Sequence, residues 1–288
     1  MNEKFSFEKG HRSRAIFLIF AYSFLTIMML AMIIPVVKVF VDSVDPTSAY
    51  GIRLWPKQFD LSAYKQILST EGLYRPFVIS ILTTVGGTAV GLLLTTLGAY
   101  VIIQKDMPGH RLCVNMILFT MLFSGGLIPT YLTVSNLGLM NNYVSVIIPV
   151  TLTAYNIILM KSFFETIPKT LYEAAELDGC TPIGIFWRIV LPLSKPALAS
   201  IGLFIAVAMW NDFMHFQLYI QDPMLKNFQL KVRELILNDA AIGTAQSAVS
   251  GDMLKSAVII VVIAPFLVVY PFIQKYFQKG VTLGAIKE

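Results

Sequence analysis

The chain has 288 residues, of which 56% are hydrophobic and only 14% charged, with a mean hydropathy of +0.70 and a net charge of +5. That composition excludes a soluble globular domain, whose core could not absorb so many apolar side chains, and points to an all-α integral membrane protein. The isoelectric point of about 9.1 calls for no nucleic-acid partner, because surplus Lys and Arg mark the cytoplasmic face of membrane proteins.

A bilayer core takes about 20 apolar residues of helix, and the chain divides accordingly. Residues 1–14 form a basic tail carrying Lys4, Lys9, Arg12 and Arg14. The apolar run after it is too long for a signal peptide and lacks a small-x-small cleavage site, so it is predicted to stay as an anchor, about 15–40. The segment from Asp42 to Arg75 is polar and is expected outside, with short helices on that surface. A second span covers about 76–104. Residues 112–160 carry no Lys, Arg, Asp or Glu and are long enough for two spans, about 112–134 and 143–162. They separate where Gly125, Gly126, Pro129, Asn136, Gly138, Asn141 and Asn142 cluster, since these residues favour turns. A charged segment, 163–195, precedes a fifth span at about 196–220. An external polar loop, 221–255, contains a stretch from Gly243 to Gly251 that is flexible by composition. The sixth span is expected at about 256–276.

Placing both termini in the cytoplasm puts 13 of the 22 Lys and Arg inside, against 8 of the 17 acids, so the inner face carries +5 and the outer face none. Cys113 and Cys180 both fall inside, where free thiols are expected.

Residues 163–195 place carboxylates, an arginine and prolines between two apolar runs. Pro168 suits a first helical turn, and nothing breaks the helix until Gly179, a C-terminal cap residue. Leu171, Ala174, Ala175 and Asp178 share one side of that helix at helical spacing, with Glu173 and Glu176 pointing elsewhere. Thr181 and Pro182 read as cap and first position of a second short helix, with Ile183, Phe186, Trp187 and Val190 as its apolar stripe and Pro192 as its end. Small alanines beside carboxylates suit a surface that another protein approaches closely. On the residues alone, an amphipathic loop lying on the headgroups stays open as the alternative.

Glu173-Ala174-Ala175, then Gly179 after three residues, Ile189 after nine more, and Leu191-Pro192 after one, resembles the EAA loop of membrane subunits of binding-protein-dependent ABC importers. The resemblance implies a type I importer permease fold, with this loop as a coupling helix seated in a cleft of a cytoplasmic ATPase subunit. Ser124-Gly125-Gly126-Leu127-Ile128-Pro129, Asn136-Leu137-Gly138, Trp210-Asn211-Asp212-Phe213 and Gln274 to Gly280 are similar to the carbohydrate branch, in particular the second permease of oligosaccharide systems related to maltose importers. The family then implies a homologous second permease, two ATPase subunits, an external solute-binding protein, a carbohydrate substrate and a bacterial cytoplasmic membrane.

No phosphate-binding G-x-x-x-x-G-K-[ST] motif is present, so ATP and Mg are expected on the partner ATPase and no cofactor on this chain. Asp212 is the one acid expected at membrane depth, and such groups are functional candidates by default. Tyr131, Asn136, Tyr155, Asn156, Trp210, Asn211, His215 and Gln217 join it as candidates for lining a sugar path, through amide hydrogen bonds and aromatic faces; packing or a structural hydrogen bond is the alternative reading of each. Catalysis is disfavoured, since His11, His110 and His215 are dispersed. A permease for a non-sugar substrate and an ion-coupled secondary transporter are the rival readings; the latter is expected to show inverted repeats.

Overall fold

The computed structural model describes residues 3–48, 51, 53–237, 251–265 and 267–268, and every regular element among them is helical. Two units divide the chain: Met1–Ile67 with Asn238–Val261, and Leu68–Leu237 with Val262–Glu288.

In the first unit, α1 (Glu3–Val44) is one helix that takes in the basic tail and outruns the expected anchor at both ends. From Arg14 to Val44 it is long and apolar enough to cross a membrane, with only 6% of its most apolar window buried, as a lipid-facing helix requires. Side chains secure its last turns: Lys38 pairs with Asp42, and the Ser43 hydroxyl donates to the Phe40 carbonyl at 2.6 Å. The turn that follows is organised by Asp45, 2% exposed. Its carboxylate accepts the Thr47 hydroxyl at 2.7 Å, the Lys57 N–H at 2.7 Å and the Thr47 N–H at 2.8 Å, and these donors hold its pKa down at about 2. Asp60, lowered likewise by the Ser62 N–H and hydroxyl, precedes α2 (Ser62–Ser69). Residues 251–265 and 267–268 are helical, so part of the expected sixth span is described; the rest, with the Gly243–Gly251 stretch bar its last residue and the Gln274 to Gly280 motif, lies outside the described residues.

The second unit is built on α3 (Glu71–Ile103), against which α6 (Val144–Thr151), α7 (Ala154–Phe164) and α11 (Lys195–Asn211) pack. Hydrocarbon removes most of the hydrophobic drive between helices, so close approach through small residues carries their association. Gly91 shows this: a β-carbon there would stand 2.5 Å from the Thr151 β-carbon. Met160, Phe164, Phe186, Val190, Ile201, Ile205, Met209 and Phe216 fill the core, each at most 1% exposed.

Several expected spans are interrupted, each for a local reason. The span expected at 112–134 is α4 (His110–Leu122) and α5 (Leu127–Asn136), because Gly126 adopts φ +85 between them. The span expected at 143–162 is α6 and α7 bent by 50°, with Pro149 inside α6 and the Thr153 side chain capping α7 through the Asn156 N–H. The span expected at 196–220 begins as α11, stops at Asn211 and resumes as α12 (Met214–Tyr219). The segment expected outside starts as ordered chain: a 3₁₀ turn, Pro223–Leu225, then α13 (Phe228–Leu237). Among the described residues, two helices are long and apolar enough to cross a membrane, or up to four if each bent pair is one span.

Candidate coupling loop and polar pathway

The charged segment folds as α8 (Lys169–Leu177), a reversal at Asp178–Cys180, and a second helical stretch, Pro182–Leu193, made of α9 (Pro182–Ile185), a π turn and α10 (Leu191–Leu193), which meets α11 at 82°. The reversal has a complete hydrogen-bond account. Gly179 sits at φ +77; its N–H donates to the Glu176 carbonyl at 3.0 Å and the Cys180 N–H to the Ala175 carbonyl at 2.9 Å. This is a Schellman cap, and it needs a left-handed residue at the glycine position. Thr181 then caps the next helix, its hydroxyl accepting the Gly184 N–H at 3.2 Å behind Pro182 at the first position.

The second stretch does not stop at Pro192. A π turn over Phe186–Val190 absorbs it: the Leu191 N–H reaches back five residues to the Phe186 carbonyl, and the helix continues as Leu191–Leu193. Ile185, Phe186 and Val190 are buried, whereas Ile183 and Trp187, expected inside, are 71% and 54% exposed. Ile189 and Leu191 are half-buried and Pro192 is exposed.

α8 also turns differently from expectation. Ala175 is buried and Tyr172 half-buried, while Leu171, Glu173, Ala174, Glu176 and Asp178 are exposed. Ala175 thus anchors the helix, and Ala174 stands outside with the three carboxylates. Leu177, a residue the sequence reading passed over, is 89% exposed. A large apolar side chain so displayed at the tip of an acidic face is the signal that would have found it. The elbow is fastened to α3: the Tyr100 hydroxyl donates to the Pro182 carbonyl at 2.9 Å, and its ring lies 5.1 Å from that of Phe186. Burial, with a smaller contribution from Tyr100, pushes the Tyr172 hydroxyl up to about 12, so it stays neutral beneath the acidic face.

At the other end of this unit the polar candidates gather round the α11–α12 break. Asp212 is the first residue after α11 rather than a position inside a continuous helix. His215 Nδ1 lies 2.7 Å from Asp212 Oδ1, the Asn227 amide donates to the Asp212 carbonyl, and Asp212 Oδ2 is buried without a hydrogen-bond partner. Trp210 is 4% exposed and meets Phe77 edge-on at 6.1 Å; Phe77 in turn meets Phe228 of α13 at 5.4 Å. The Arg233 guanidinium stands 4.5 Å over the Phe213 ring. Tyr219 stacks on Tyr131 at 6.3 Å and faces His215 at 5.9 Å. The cluster therefore joins Tyr131, Trp210, Asp212 and His215. The Asn211 amide is spent on the Val207 carbonyl at 2.9 Å. Asn136 and Gln217 are exposed elsewhere. Tyr155, 56% exposed, and the buried Asn156 lie at the start of α7 and share no hydrogen bond or ring contact with Asp212 or His215 among the described residues.

Asn141 was read from sequence only as a turn former. It holds φ +56, donates its N–H to the Tyr219 carbonyl at 2.8 Å and accepts the Gln221 and Asp222 N–H groups on its side chain at 2.7 and 3.0 Å. It clamps the end of α12 to the α5–α6 connection. No group of three or more metal-ligating side chains occurs among the described residues, and both cysteines are free thiols.

Comparison with known proteins bears on both ends. The family model described as "Binding-protein-dependent transport system inner membrane component" matches residues 112–283. The chain is 45% identical over 239 residues to Protein LplC of Bacillus subtilis, covering 81% of each chain. It is 40% identical over 282 residues to the polygalacturonan/rhamnogalacturonan transport system permease protein YtcP of the same organism, covering 92% of this chain and 96% of that one. A crystal structure of a bacterial ABC transporter involved in the import of the acidic polysaccharide alginate contains a chain that superposes with a TM-score of 0.87 at 31% identity, covering 92% of this chain and 98% of that chain.

Proposed function

Because the chain belongs to the family of binding-protein-dependent transport system inner membrane components, we propose that it is the permease subunit of an ATP-driven carbohydrate importer, coupled to its motor through the elbow at 163–195. It forms half of the path for an oligosaccharide beside a homologous second permease. Two cytoplasmic ATPase subunits bind ATP and Mg, and an external binding protein delivers the sugar. Six spans, both termini inside, complete this reading; the interrupted helices count as bent spans.

The observation that carries it is the outward face of α8. Glu173, Glu176 and Asp178 surround Leu177 on a helix that has a full C-cap and is bonded to α3 through Tyr100 and Pro182. A partner pulling on that face moves α3 with it, and α3 packs on α6, α7 and α11. Ala175, Gly179, Ile189, Leu191 and Pro192 shape the elbow rather than meet the partner first, while Ala174 lets the partner approach. ATP-dependent closure of the motor then shifts the permease between states by its differential affinity for them.

Charge placement supports the orientation. Within the second unit, Arg75, Lys226 and Lys231 at the outer end each face a carboxylate, whereas of the described inner cations only Lys161 does. The test separates this reading from an ion-coupled carrier. Uptake in cells should collapse when ATP is depleted and persist under an uncoupler when ATP is maintained; the opposite pattern refutes the proposal.

A further inference from the structure

The corner between α3 and α4 holds two cations that the transport reading does not use. α3 ends at Ile103 and α4 begins at His110, so the connection lies at the level where headgroups meet a span. Lys105 and Arg111 line a pocket of about 460 Å³ there, together with Met107, Gly109 and His110. Both cations are exposed, and neither meets a carboxylate among the described residues, although Asp106 is adjacent in sequence to Lys105. The pocket is shaped by fixed backbone. Gly109 turns the chain at φ +79, with nothing within 4 Å of a β-carbon built there, so the space above it is open. His110 is tied back: its Nε2 is 2.8 Å from the Ile102 carbonyl, which only accepts, so the ring donates there and the imidazole closes one side.

What continues below the pocket decides which anion belongs. α4 buries none of its residues, and Leu112, Met116 and Phe119, spaced one and two turns apart, are 65%, 60% and 60% exposed. A basic rim thus stands directly over an apolar stripe that starts one residue after Arg111. A free inorganic anion would use only the rim; a phospholipid uses both. We propose that this corner is a binding site for an anionic phospholipid, its phosphodiester between Lys105 and Arg111 and one acyl chain along Leu112, Met116 and Phe119. The inference rests on the reading that this end faces the cytoplasmic leaflet, whose anionic lipids attract such clusters.

The assembled transporter, reconstituted in phosphatidylcholine nanodiscs containing phosphatidylglycerol, is exchanged into mild detergent, and retained phosphatidylglycerol per complex is counted by native mass spectrometry. Each cation near an anionic surface contributes about a fivefold preference, so Lys105→Gln/Arg111→Gln should weaken retention about thirtyfold. Lys105→Arg/Arg111→Lys should retain the lipid as the wild type does, and so should Arg14→Gln, which removes an inner charge outside the corner. Excess inorganic phosphate should leave the lipid in place. Equal retention by the double Gln variant, equal loss in Arg14→Gln, or displacement by inorganic phosphate overturns the site. ATPase stimulation by the loaded binding protein is measured on the same samples. Failure of the importer reading abolishes that stimulation in every lipid, whereas failure of this inference leaves it intact.

Discussion

Replacing Gly179 isolates backbone strain from bulk. Nothing lies within 4 Å of a β-carbon built on it, so a small side chain there clashes with no neighbour and the whole cost is the left-handed φ of +77. For Ala that cost is about 1–2 kcal/mol; Asn, whose short polar side chain visits this region routinely, should pay less, and β-branched Val more. The strain opposes the Schellman cap, so the fraction of elbows with α8 correctly ended falls with it, and about 1.4 kcal/mol corresponds to a tenfold change. In proteoliposomes, ATPase stimulation by loaded binding protein should decline in the order Gly, Asn, Ala, Val, with assembly of the complex retained. Gly179→Asp should abolish stimulation, since it adds a charge to the strain beside Asp178. The reasoning is refuted if Gly179→Val stimulates as the wild type does, or if Ala and Asn are equally impaired.

Other consequences are as direct. Gly91→Ala meets a β-carbon at 2.5 Å and should destabilise the purified complex by about 1–3 kcal/mol, whereas Gly202→Ala meets the movable end of Leu92 at 2.9 Å and should cost less; thermal unfolding in detergent ranks the two. Asn141→Ala loses an acceptor for two N–H groups and strains φ +56, for about 1–3 kcal/mol, while Asn141→Asp keeps both functions and should approach the wild type in the same assay. Asp45, held at about 2 when folded against about 3.9 in an unfolded chain, contributes stability that is fully present above about pH 4 and is lost as pH falls towards 2. Protection of the Thr47 and Lys57 amides from hydrogen exchange should therefore fall across that window in the wild type and change less in Asp45→Asn.

How much of this was legible beforehand depends on the range of the forces concerned. The all-helical class and the elbow at Gly179 and Thr181 could be read because hydropathy, caps and glycine act within a few residues. The stripe of the second elbow helix could not: plain helical spacing puts Ile183 and Trp187 inside, but the π turn over Phe186–Val190 departs from that spacing, and Ile185, Phe186 and Val190 are the residues buried. The break after Asn211 was hidden for a different reason. An apolar run carries no mark of where its backbone bonds are exchanged for long-range ones, and here Asp212 gives its carbonyl to Asn227, fifteen residues on. Asn141 shows the same limit, since its partners at Gln221 and Asp222 lie eighty residues away. Of the pathway candidates, Tyr131 and His215 both meet the Tyr219 ring, whereas Asn136 and Tyr155 have no ring contact with it among the described residues, because residue type alone does not say which side chains converge.

The central claim is that the acidic face of α8 seats on a motor subunit, and Leu177 at its tip reports on that contact most directly. With Cys113 and Cys180 replaced by Ser, Leu177→Cys should crosslink efficiently to the ATPase subunit in the assembled complex, with a yield that changes between the ATP-bound and nucleotide-free states. A complex that transports sugar while Leu177→Cys reacts only with lipid-soluble reagents, and never with the ATPase, would contradict it.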